Sequence, residues 1–149
     1  MSLAMFAQES ALSAGTQLIH ELFYRLDERD YVRLAALFKM DGVWKRQGEV
    51  LVGAEQIIRA LSKRSTTQRI RHVISNTFLP RYESDEMDVI SYMTAYRFDD
   101  GTNKDGVARI ARPFLLSVVH ARLEKNHDIW HIADLDLVPQ FEFVGEQQV

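Results

Sequence analysis

Two side chains, His72 and Asp27, combine a residue type suited to moving protons near neutral pH with positions from which they could do so. His72 lies in RIRHVISNTF, where residues 69 to 78 alternate. Ile70, His72, Ile74, Asn76 and Phe78 share one face of an extended segment, and Arg71, Val73, Ser75 and Thr77 share the other. The face holding His72 is the apolar one, so the ring is expected to point inward, where it needs a partner. Two readings stand open: a core histidine bonded to a backbone carbonyl, or a general base or acid. Asp27 follows Phe23 by four residues and Ile19 by eight, on a row bordering the apolar stripe of a helix, with His20 and Tyr24 on neighbouring turns. A carboxylate at a helix C-terminus meets the negative end of the helix dipole and is poorly placed unless a donor receives it. That misfit hints at function. In the alternative, Asp27 joins Glu28 and Asp30 in a solvated turn or caps the next helix.

The elements that would position these groups follow from periodicity. Leu18, Ile19, Leu22, Phe23 and Leu26 recur at three- and four-residue spacing, which predicts a helix over 12–26. Asp30 can cap a short second helix over 31–38, and Ile57, Ile58 and Leu61 argue for a third over 54–61. Between them DGVWKRQGEVLVG reads as two short extended pieces separated by Gly48. The second half changes period: strands are predicted over 69–78, 88–98, 110–123 and 129–138, separated by RYESDE, DDGTNKDG and EKNHD. The expected fold is α+β, a cone of three N-terminal helices packed on a curved antiparallel sheet, with residues 1–149 forming one domain.

Composition limits the function classes. With 46% apolar residues, the 149-residue chain must build a core, which excludes disorder. Lys and Arg number 18 against 21 Asp and Glu, and the net charge of −3 gives no general pull toward phosphate backbones or anionic lipid. No nucleic-acid or membrane partner is therefore expected. The chain has no cysteine, so it has no thiolate nucleophile and no Cys-ligated metal. The apolar run around Phe114 to Val119 is far short of the ~20 residues that span a bilayer, and the opening MSLAMFAQES does not read as a secretory signal. A soluble, cytoplasmic protein is expected. His120, His127 and His131 with Asp128 lack any metal-binding spacing, so no metal is expected. Lys63, Arg64, Arg69 and Arg71 form a basic cluster without interleaved aromatics and read as a solvated or subunit-contact face.

The patterns LDERDYVRLAALF, DGVWKRQGEVLVGAEQI, IRHVISN and the closing HDIWHIADLDL resemble the NTF2-like superfamily, and within it the SnoaL-like group that includes scytalone dehydratase. The resemblance covers about residues 12 to 140. In that enzyme and the related hexachlorocyclohexane dehydrochlorinase, an Asp at the end of the first helix pairs with a His on the strand entering the sheet. Asp27 and His72 stand at the matching places, so the resemblance implies a catalytic His72–Asp27 dyad. It further implies a lyase or isomerase acting without a cofactor on a small hydrophobic carbonyl or aromatic, polyketide-type substrate. The chain departs from the dehydratase where Leu26 replaces the tyrosine before the dyad Asp. The Ser and Asn of a later dehydratase strand are expected to fall on apolar residues near Leu116 and Val118.

In such a site His72 would take a proton from carbon next to a carbonyl, and a donor would polarise that carbonyl. Tyr24, Tyr92 and Tyr96 are the candidate donors, Trp44, Phe78 and Phe114 the aromatic walls, and Asn76 a further inward polar group. The pocket is expected to be apolar, with few charges besides Asp27. Apolar residues on both faces of the last two strands call for a homo-oligomer, a dimer or trimer. Two other classes stay open. RIRHVISN and IWHIADLDLVPQF are also similar to the β subunit of aromatic-ring-hydroxylating dioxygenases, which implies a structural role beside an α subunit. The third class is a ligand-binding module without catalysis.

Overall fold

A computed structural model describes residues 2–145. In chain order it contains α1 (Leu3–Asp27), α2 (Tyr31–Ala35), β1 (Phe38–Arg46), β2 (Glu49–Val52), α3 (Gly53–Leu61), β3 (Arg69–Tyr82), β4 (Glu86–Phe98), β5 (Leu115–Asn126) and β6 (Ile129–Glu142). The first helix buries Leu18, Ile19, Leu22, Phe23 and Leu26, the predicted stripe. It begins earlier than its periodicity suggests, because Ser2 caps it by accepting from the Met5 N–H at 3.2 Å while its first turns stay exposed. The second helix is capped by Asp30, as expected, but ends at Ala35. The Leu37 carbonyl accepts from the Ile132 N–H at 2.8 Å, which draws Phe38 into the sheet instead of a longer helix.

The six strands run in the order β2-β1-β6-β5-β4-β3. The last four form the predicted antiparallel meander, yet the sheet is mixed, because β1 lies parallel to β6. That pairing joins segments some ninety residues apart, for which no local pattern exists. α1 and α3 cover the inner face. Trp44, Met87, Val89, Val119, Leu123, Ile132 and Leu135 meet Leu22, Phe23, Ile57 and Leu61 there in one core.

The parallel pairing requires Gly42. It stands at the register shift between Phe38 and Val43, and a β-carbon there would lie 2.8 Å from the Ile132 carbonyl oxygen and 3.0 Å from that of Lys39. Both obstacles are backbone, so neither can swing aside. Gly42→Ala should therefore destabilise the protein by about 1–3 kcal/mol, the usual cost of overpacking. Urea unfolding of the two proteins measures it, and equal midpoints would show that β1 has slack against β6.

Two strand expectations need correction. β5 begins at Leu115, not at 110, because Pro113 has no N–H to give and pairing with β4 starts where the Phe114 N–H donates to the Ala95 carbonyl at 2.7 Å. In β3 the alternation breaks at Asn76, whose φ is +57°, and the register with β4 skips between Ser75 and Phe78. Beyond this bulge Thr77 and Leu79 turn inward, and Phe78 turns outward.

Candidate active site

Asp27 ends α1 and His72 sits near the start of β3, the edge strand of the sheet. The carboxylate spans the gap with both oxygens. Oδ2 accepts from the His72 backbone N–H at 2.9 Å, and Oδ1 meets the ring Nδ1 at 2.5 Å. The side chains are 7% and 4% exposed. An N–H on the free edge of the strand and a ring nitrogen thus receive the carboxylate that the helix dipole would disfavour. The helix end is further satisfied by Arg64, which donates to the Leu26 carbonyl at 2.9 Å and so brings a positive charge to the C-terminus. The Phe23 ring packs 5.1 Å from the His72 ring, tilted by 39°, and holds its plane. With Nδ1 engaged by Asp27, Nε2 is the ring nitrogen left to face a ligand.

His72 lines a cavity of about 930 Å³ between the inner face of the sheet, α3 and the segment after it. Trp44, Met93, Ala95, Phe114, Ser117 and Leu137 form part of its wall. Two of these carry polar atoms buried without a partner among the described residues, the Trp44 indole Nε1 and the Ser117 hydroxyl. Such atoms are costly to bury, and both residues belong to the wall of a cavity of ligand size. A separate depression of about 440 Å³ lies where the end of α1, β3, β4 and residues 106–110 meet; Asp27 borders it, while His72 does not.

Of the residues singled out by sequence, the structure brings together His72, Asp27, Trp44 and Phe114. The remaining five lie elsewhere. Tyr24 is 58% exposed on the solvent side of α1, with Arg25 against its ring, and His20 is exposed beside it. Tyr92 and Tyr96, 44% and 38% exposed, alternate with buried Ser91, Met93 and Ala95 and so face away from the cavity. Phe78 is 51% exposed on that same outer face, and Asn76 is exposed at the bulge, where its positive φ removes it from the inward phase.

The expectation of a pocket with few charges also needs correction. Lys45, Arg46, Lys63, Arg64 and Arg97 border the cavity, against the carboxylates of Glu49 and Asp136. Burial, and then the neighbouring Arg64 charge, push the Arg46 guanidinium below its ordinary pKa. Within the basic cluster read as a solvated or subunit-contact face, Arg64 turns to the cavity, Arg69 donates to the Gly106 carbonyl at 2.7 Å, and Arg71 pairs with Glu28 at 2.8 Å. Sequence reasoning missed Ser117, which lies between the two apolar residues it considered. The hydroxyl shares the strand phase of Val119, Ala121 and Leu123, a signal that was present but went unused. No group of three or more His, Asp or Glu side chains is placed to hold a metal among the described residues.

A family profile described as the SnoaL-like domain matches residues 11–136. No curated protein matches the chain. Among solved structures, LinA superposes with a TM-score of 0.79 at 14% identity, covering 99% of this chain and 99% of that one. A candidate scytalone dehydratase from Novosphingobium aromaticivorans gives 0.77 at 18% identity, covering 95% of this chain and 93% of its own. A type 2 hexachlorocyclohexane dehydrochlorinase, LinA, gives 0.72 at 16%, with 95% and 97% covered. At these identities the likeness is one of fold.

Proposed function

The chain belongs to the SnoaL-like domain family of the NTF2-like superfamily, and from that premise we propose that it is a cofactor-independent lyase or closely related isomerase using His72 as general base. One observation carries the reading: a buried, carboxylate-paired histidine that lines a cavity of ligand size. The similarity to a candidate scytalone dehydratase and a dehydrochlorinase supports the same class.

Nε2 takes the proton from a carbon next to the substrate carbonyl, and the C–H electron pair forms the carbon–carbon double bond of an enolate. Asp27 holds the neutral ring with its proton on Nδ1 and stabilises the imidazolium that results. Charge gathers on the enolate oxygen, where the unpartnered Trp44 indole N–H and Ser117 hydroxyl are the available donors. In elimination the enolate pair returns, the bond to a β-hydroxyl breaks, and the imidazolium proton leaves with it as water. In isomerisation the proton returns to a different carbon. Incubation with a panel of aromatic and polyketide-like carbonyl compounds in deuterated water tests this. Mass spectrometry should find deuterium uptake next to a carbonyl or loss of water in at least one compound. No change in any compound, with the cavity intact, would return the dyad to a structural role.

The protein acts as a homo-oligomer in this proposal. Val73, Phe78, Tyr92, Tyr96, Val138 and Phe141 leave apolar surface on the outer face of the sheet, opposite the face that the helices cover. A second copy of the same face would cover it with self-complementary contacts. Sedimentation at micromolar concentration should give a multiple of 17.2 kDa, and Phe78→Lys with Tyr92→Lys should reduce it to the monomer. A monomeric unsubstituted protein would refute the assembly.

A further inference from the structure

Arg46 on β1, Arg64 after α3 and Arg97 on β4 border the cavity that His72 lines, and among the described residues none of the three has a carboxylate partner. Elsewhere Arg25, Arg33, Arg59, Arg71, Arg81 and Arg122 sit in ion pairs, while Arg29, Arg69 and Arg112 give their donors to backbone carbonyls. The three at the cavity lie against aromatic rings instead. Arg46 lies 5.9 Å from the Trp44 ring centroid, Arg64 5.9 Å from that of Tyr31, and Arg97 4.5 Å from that of Phe114. Aromatic faces hold a guanidinium without consuming its charge; Arg64 gives Nη1 to the Leu26 carbonyl and the Tyr31 hydroxyl, and its Nε and Nη2 remain for a ligand. Two of the three, Arg46 and Arg64, are partly buried and repel each other, a repulsion that the nearby Glu49 carboxylate offsets only in part. Like charges brought together in a partly dry cavity are unfavourable alone and are relieved by an anion between them.

The second observation is the orphaned pair in the same cavity. Trp44 Nε1 and Ser117 Oγ are fully buried, uncharged and without partners among the described residues. The cavity therefore offers cations on Arg46, Arg64 and Arg97, with two neutral donors buried within its wall. An entirely apolar ligand would leave the cations unsatisfied.

We propose that the substrate is a carboxylate, an aromatic or polyketide-like acid whose anionic group is seated by Arg46 and Arg64 while its carbonyl end lies toward His72. This rests on the reading of His72 as the base and narrows the substrate class. Guanidinium forks match the planar carboxylate, and the ring-lined wall takes a flat skeleton. The cations also favour the enolate, since it carries one more negative charge than the bound acid.

Calorimetric titration with 2-naphthoate, 2-naphthamide and 2-naphthyl phosphate, which share one skeleton, tests the assignment. In 50 mM salt 2-naphthoate should bind at least tenfold tighter than the amide, and 500 mM salt should shrink that preference. Arg46→Met should abolish most of it with the fold intact by circular dichroism. Arg97→Gln, at the exposed rim, should weaken it several-fold, and it provides the measurement should Arg46→Met fail to fold. His72→Gln should keep the preference. Equal affinities, a tighter amide, no binding of 2-naphthoate by folded protein, or a preference untouched by both arginine variants would overturn the inference. Tighter binding of the phosphate than the carboxylate would overturn the assignment to acids. A preference for the acid without proton exchange in any compound would instead refute only the catalytic reading; exchange with neutral compounds alone would refute only this one.

Discussion

His72→Gln should abolish turnover of whatever compound the panel identifies, with a loss of about 10²–10⁴-fold in kcat, the range that a positioned general base supplies. Glutamine can fill the space but accepts no proton from carbon at neutral pH. Asp27→Asn should lose a comparable amount for a different reason. The carboxamide oxygen can still accept from the His72 backbone N–H, which Asp27 Oδ2 does at 2.9 Å, but the amide NH₂ then faces ring Nδ1. It can only donate there, which drives the ring proton to Nε2 and masks the base. The fold should survive, since the bond to the backbone N–H remains. The double variant should be little worse than His72→Gln, because groups acting as a unit do not lose their effects additively. Additive losses, or an Asp27→Asn protein with full activity, would contradict the shared mechanism.

Phe23→Ala should produce a large stability loss, about 3–5 kcal/mol, by leaving a cavity under the sheet. The side chain is 1% exposed in the core and its ring packs on that of His72. At roughly 2–4 °C per kcal/mol for a chain of this size, the midpoint of thermal unfolding should fall by on the order of 10 °C. Phe23→Leu separates packing from positioning. It keeps most of the volume and should cost about 1.5 kcal/mol or less, yet it removes the flat surface that sets the imidazole plane. Its stability should lie near that of the original protein while kcat falls about tenfold and KM changes little. A Phe23→Leu protein with unchanged kcat would show that Asp27 alone orients the ring.

Local periodicity determined much of this protein. The stripe from Leu18 to Leu26, the Asp30 cap, the four-strand meander and the inward phase of His72 each depend on residues within a few positions of one another, so they are visible in the chain itself. The likeness to the SnoaL-like group, carried by Asp27 and His72 forty-five positions apart, was also legible, and the two do meet. The tertiary structure alone decided the rest. No local signal places β1 beside β6, and one bulged residue, Asn76, was enough to reverse the side chains that follow it and carry Phe78 out of the site, until a second register shift before Arg81 returns Tyr82 to the core side. Tyr92 and Tyr96 share a face, as alternation says, but which face meets the helices is decided by the packing of Met87, Val89 and Met93 against α1 and the rest of the core. Of the three cavity arginines only Arg64 stood out in the sequence, within a basic cluster read as a solvated or subunit-contact face because charge is ordinarily outside; Arg46 and Arg97 carried no signal. Their place at a cavity depends on three separate elements converging, and a one-dimensional pattern carries no such information.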